Sequence, residues 1–159
     1  MALCFFLGGC PVGIKLSRLL SLMDYQHYRG TTGEEDRLAI AVATMLRVAS
    51  IEGRLKATWT CIPHEVGAVP QKSAEFRKRQ TRYAKAKAMG LITGSTDYVF
   101  VWAGGGGWIE LKSQHGALST PQRRFREWCM ATGSNWAVCR TVEEVVDILI
   151  SWGALHPPV

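Results

Sequence analysis

The chain has 159 residues, 47% hydrophobic and 20% charged. That suffices for one domain with a packed core, or a domain plus a tail, and excludes wholesale disorder. The net charge of +6 is concentrated: residues 72–87 hold seven basic residues against one acid, Glu75, so this segment alone equals the whole excess. A basic block in an otherwise balanced domain points to a polyanion, either nucleic acid or an acidic membrane surface, unless it is a solvated helix face.

Residues 1–30 show no sustained period and are expected to be a poorly ordered extension, with a short amphipathic helix over Ile14–Met23. The apolar run Leu3–Cys10 superficially resembles a lipoprotein cleavage box, but no positive charge precedes it and it is too short to span a bilayer. An upstream start codon, with Met23 as the true start, is the other reading. With no signal, the expected compartment is the reducing cytoplasm. Five cysteines without C-x-x-C spacing and four scattered histidines argue against a disulfide framework or a structural zinc site. Cys61, Cys129 and Cys139 are expected as small core residues.

From Thr32, Leu38, Ala41, Val42, Met45, Leu46 and Ala49 recur on one helical face, with Thr32 and Glu35 in capping-box spacing and Gly53 as the stop. Ala57–Ile62 alternates like a strand closed by Pro63, and 63–72 reads as a loop. Residues 73–89 form the basic helix, ended by Gly90. Its apolar face is thin, so Arg77, Lys78, Arg82, Lys85 and Lys87 are expected to face solvent or a ligand. Tyr98–Trp102 and Trp108–Lys112 flank a glycine loop, Ala103–Gly107, and make a hairpin. Ser119 or Thr120 caps the next helix, with Pro121 in its first turn and Phe125, Trp128, Cys129 and Thr132 as its buried stripe. A strand at Trp136–Arg140 follows. A closing helix, capped by Thr141 and Glu144, is expected to bury Val145, Val146, Ile148, Leu149 and Trp152, and 153–159 form a tail. The order α-β-α-β-β-α-β-α implies an α/β fold, a central mixed sheet flanked by helices, with the domain over 31–152.

Three residues within this framework carry chemistry. Glu110 and Lys112 alternate with Ile109 and Leu111, so they share one face of a strand. A hairpin register one residue off symmetric would set Asp97 opposite Lys112. Two carboxylates, with the Leu111 backbone carbonyl as a third donor, suit Mg²⁺ or Mn²⁺. Lys112 could orient a water and stabilise developing charge. The same trio also describes a cross-strand ion pair on a solvated sheet.

Gly94-Ser-Thr-Asp97, the hairpin with Ile109-Glu-Leu-Lys112, and Gly116-Ala-Leu-Ser119-Thr-Pro-Gln122 together resemble the PD-(D/E)XK nuclease superfamily. More narrowly they resemble its virus-type replication-repair nuclease (VRR-NUC) family, whose members read G-x-P-D, E-x-K and G-x-L-S-x-x-Q. Lys87–Gly94 is similar to the family's lead-in to its aspartate, and the resemblance covers about residues 31–150. It implies a PD-(D/E)XK restriction-endonuclease-like core and metal binding by Asp97 and Glu110. It also implies assistance to the attacking water by Lys112, and a site role for Gln122. The family's first-helix glutamate matches Glu35, with Glu34 as the fallback, although an acid in a first helical turn also suits the helix dipole. Thr96 replaces the usual proline, and Pro63-His-Glu-Val departs from the family's Pro-Asn-Gly-Gly. His115 is expected to be a solvated loop residue.

The resemblance implies a metal-dependent DNA endonuclease acting on branched or otherwise structured DNA in replication, repair or recombination. It also implies a homodimer of bacterial or phage type. The alternative is a non-catalytic DNA-binding subunit on a nuclease fold. A membrane-surface role ranks last, because the basic helix lacks an inserting apolar face.

Overall fold

The computed structural model describes residues 15–24, 30–62 and 74–157. Residues 1–14 and the expected loop over 63–72 lie outside them. A short helix α1 (Leu16–Leu22) precedes the long α2 (Glu34–Ile51). Val42, Leu46 and Ala49, at spacings of four and three, are fully buried, which is why this segment is helical and faces inward. Its cap differs from expectation. Gly33 is the N-cap residue, and its N–H donates to the Asp36 carboxylate at 3.1 Å. Asp36 rather than Glu35 therefore serves the cap, because Gly33 takes the extended N-cap conformation and Asp36 stands three residues on.

Strand β1 (Thr58–Cys61), helix α3 (Ala74–Ala88), β2 (Tyr98–Trp102) and β3 (Gly105–Leu111) follow, then α4 (Thr120–Ala131), β4 (Asn135–Cys139) and α5 (Val142–Ser151). The sheet order is β1-β2-β3-β4, with the first two pairings antiparallel and β3–β4 parallel. The fold is thus α/β, with a mixed four-stranded sheet between helices.

The β2–β3 connection is tighter than the glycine loop expected over 103–107. Trp102 pairs with Gly105, leaving Ala103 and Gly104 as the turn, and Gly105, Gly106 and Gly107 are strand residues. The packing explains them: a Cβ at Gly107 would lie 2.4 Å from the Trp152 ring, which stacks on Trp102 at 6.2 Å.

Alternation along β2 and β3 divides the molecule into two layers. Tyr98, Phe100, Ile109 and Leu111 face α2 and α5 in the main core with Val42, Leu46, Val145 and Leu149. The core also includes Ala154 and Leu155, so the segment beyond residue 152 is anchored, with Leu155 bridged to Leu55. On the opposite face Trp108 meets Phe125 of α4 edge-on at 5.3 Å. Phe125 and Cys129 are buried there, but Trp128 is 54% exposed and Thr132 is exposed, unlike the stripe expected from spacing. The α4 interface is narrow, because among the described residues α4 packs on this face through few side chains, chiefly Phe125 and Cys129. Cys139 is buried as expected, whereas Cys61 is exposed, since β1 is an edge strand that no described helix covers on its outer side.

Candidate active site

Glu110 and Lys112 leave β3 on the α4 face, at the carboxyl end of the strand. Glu110 is only 1% exposed and Lys112 9%, and Lys112 Nζ meets Glu110 Oε1 at 2.7 Å. A pair this buried is not the solvent-facing ion pair that the spacing also allowed. Burial pushes the Glu110 carboxyl up to about 7. The hydrogen bond from Lys112 opposes that shift, and the negative charges of Asp97 and Glu35 add to it. Desolvation lowers the Lys112 pKa, but the hydrogen bond and charge of Glu110, with Glu35 and Asp97, outweigh it and hold the lysine above its ordinary value. Lys112 is therefore a protonated donor.

The Gly94 turn brings Asp97 to the same place. Gly94 has φ +85°, and a Cβ there would lie 2.3 Å from the Pro121 backbone, so the turn sits directly against the start of α4. Thr96 is fully buried, and its hydroxyl donates to the Tyr98 carbonyl at 3.1 Å, which gives the residue in place of proline its own turn-fixing bond. Asp97 Oδ2 accepts the Leu111 N–H at 2.7 Å. Continuing the Tyr98–Ile109 register sets Asp97 opposite Glu110, not opposite Lys112. The tighter turn moves the pairing by two residues, and a two-residue shift preserves the face. Because N–H and C=O of one strand residue point to the same edge, the Leu111 carbonyl opens on the Asp97 side.

Two further elements close the site. Tyr98 O–H donates to the Ala39 carbonyl at 3.0 Å, holding the first half of α2 against the sheet. One turn earlier, Glu35 Oε1 accepts the Ser113 N–H at 3.0 Å, and Glu34 accepts that of Gln114 at 3.3 Å. On α4, Ser119 Oγ accepts the Gln122 N–H, and Gln122 Oε1 accepts the Ser119 N–H at 2.8 Å. With its oxygen committed to that cap, the carboxamide must turn its NH₂ outward, and Nε2 donates to Glu110 Oε1. Gln122 is thus both a capping residue and a clamp on the buried carboxylate.

Among the described residues, no three Asp, Glu, His or Cys side chains are gathered into a ready-made metal cage. Glu110 is turned onto Lys112 and Gln122, Asp97 onto the Leu111 N–H, and Glu35 onto the Ser113 N–H. One observation favours a cation nonetheless: Glu110 Oε2 is buried without a hydrogen-bond partner. A buried carboxylate oxygen with no donor is costly, and carboxylates beside a backbone carbonyl are the donor set of a hard divalent ion.

Of the basic block, Lys78, Arg82, Lys85 and Lys87 are exposed on α3, with Lys87 5.7 Å above the Tyr83 ring. Arg77 falls within α3, but its side chain lies outside the described residues. His115 is exposed. Charge counting by segment missed α4, which adds Arg123, Arg124 and Arg126 against Glu127, all exposed. Their position directly after Gln122 was the available signal. No described helix is long and apolar enough to cross a membrane.

Fold and site together define an α/β domain with a buried acid–lysine pair at a strand end. The backbone is similar to that of a solved VRR_NUC domain protein, with a TM-score of 0.50 and 18% sequence identity over 80% of this chain and 93% of that one. The chain therefore shares its fold with that VRR_NUC domain protein. No family model matches the sequence, and no curated protein matches it.

Proposed function

We propose that this chain is a PD-(D/E)XK nuclease of the VRR-NUC family, hydrolysing phosphodiester bonds in DNA with Mg²⁺ or Mn²⁺ bound by Asp97, Glu110, the Leu111 carbonyl and Glu35. The observation that carries this reading is the burial of Glu110 with an unpartnered oxygen, beside Lys112 and Asp97, on the fold of a VRR_NUC domain. A purely structural site would place an apolar residue there, because a buried ion pair seldom outperforms one in stability. The ion, when bound, supplies charge neutralisation for a phosphoryl oxygen and acidifies a water.

The protein groups divide the remaining work. Lys112, held protonated, donates to the attacking water or to the charge developing on phosphorus-bound oxygen. Gln122 holds Glu110 in place through its cap-fixed carboxamide. Glu35 and Asp97 fix the main chain on either side of Lys112. Exposed Lys78, Arg82, Lys85 and Lys87, with Arg77, grip the DNA backbone. Branched or structured DNA is the proposed substrate and a homodimer the proposed assembly, since a domain this small finds a second DNA arm through a second copy.

The test is a cleavage panel of linear, nicked, flapped and four-way DNA with Mg²⁺ or Mn²⁺, run beside Lys112→Ala. Cleavage of at least one substrate, abolished by chelator and by the substitution, is the expected result. DNA binding with no cleavage of any substrate would support the non-catalytic subunit instead.

A further inference from the structure

An open groove of about 350 Å³ lies beside the site, lined by Ile92, Thr93, Pro121, Arg124, Phe125 and Trp128. Its walls are the segments that build the active site. One is the 92–94 turn leading to Asp97, and the other is the first half of α4, whose Gln122 clamps Glu110. Gly94 packs on Pro121 so closely that the walls are held together. Along α4, Pro121, Arg124 and Trp128 follow at spacings of three and four, one stripe that leads away from Gln122. Trp128 stands six positions after Gln122, a rise of about 9 Å along the helix axis. That is about two to three base steps of a duplex strand.

Trp128 is 54% and Ile92 46% exposed. The Trp128 ring is braced edge-on by Phe125 at 5.8 Å, and Phe125 in turn by Trp108 at 5.3 Å. The platform is therefore rigid, although it is open. Its surroundings are cationic. Arg124 lines it, and Tyr83 of the basic helix α3 hydrogen-bonds Thr93 of its wall at 3.2 Å, which makes the groove continuous with the exposed cations of that helix. An aromatic platform within a cationic track matches single-stranded nucleic acid, whose bases stack on the ring while the phosphates meet the arginine. An apolar peptide would need no such charge.

Resting on the nuclease reading, we propose that this groove receives an unstacked nucleobase on Trp128, with Arg124 on its phosphate, so that the protein prefers DNA with an unpaired strand next to the cleaved bond.

The experiment is fluorescence anisotropy with Ca²⁺ in place of the catalytic ion. It uses a labelled oligo-dT, a forked duplex and a blunt duplex, with wild-type protein, Trp128→Ala, Trp128→Phe and Arg124→Ala. Trp128→Ala is expected to weaken oligo-dT and fork binding by about 5- to 100-fold and leave blunt duplex unchanged, while Trp128→Phe recovers most of the loss. Equal weakening of all three DNAs, or no change in any, overturns the proposal. So does a Trp128→Ala variant that passes from dimer to monomer in light scattering, which would make the groove a self-association surface. If the wild type binds no DNA at all, the nuclease reading itself fails. Binding that is indifferent to Trp128 removes only the groove.

Discussion

Near its turn, the β2–β3 hairpin places Gly107 under the Trp152 ring, itself stacked on Trp102, with no charged side chain among the packed groups. At its open end the same strand buries Glu110 and Lys112 with one carboxylate oxygen unpartnered. The two ends are only a few residues apart, and Gly107 is buried as Glu110 and Lys112 are. The first gains stability from close packing. The second gives stability up, because desolvating an acid is unfavourable even beside a lysine. That contrast favours the proposed site at the charged end.

Substitutions can separate the ends. Glu110→Gln keeps the shape but turns one acceptor oxygen into an NH₂ donor and removes the charge that pairs Lys112. It is expected to lower metal-dependent cleavage roughly a thousandfold or more and to cost about 3 kcal/mol through the unpaired lysine, with the protein still folded. Cleavage lost only in proportion to the folded fraction would show that Glu110 is structural. Gln122→Ala should reduce cleavage by about ten- to a hundredfold, and cost about 1 kcal/mol through the lost cap. Gly107→Ala is the opposite case. Overpacking against Trp152 should cost about 1–3 kcal/mol, read as a lower melting temperature, with activity per folded molecule unchanged.

A further effect is in pH. Burial pushes the Glu110 carboxyl up to about 7 in the folded protein, above its ordinary 4.5. The folded state therefore binds this proton more tightly. Its contribution to stability is full below the unfolded value and is lost as pH rises through the folded one. Metal-free protein is expected to melt lower at about pH 8 than at about pH 5, by an amount equivalent to a few kcal/mol at most. The difference should shrink in Glu110→Gln. Equal pH dependence in both proteins would remove Glu110 as its source.

Much of this was legible in the chain. The α2 face and the sharing of one strand face by Glu110 and Lys112 follow from local periodicity, which needs no partner to be read, while Gln122 was marked only by the resemblance of its motif. What was not legible depended on contacts distant in sequence. The glycines looked like a loop because Trp152, which leaves no room for a side chain at Gly107, lies 45 positions after it. Glu35 looked committed to a cap until Asp36 took that bond and left it to reach Ser113. Trp128 looked buried by spacing, and only the narrowness of the α4 interface exposes it.

The central claim is that Asp97 and Glu110 form a divalent-cation site. Calorimetric titration of Mn²⁺ into wild-type protein, Asp97→Asn and Glu110→Gln tests it most directly. Saturable binding by the wild type, lost in both variants while their folds persist, is the predicted result. Binding that is absent from the wild type, or undiminished in the variants, would contradict it.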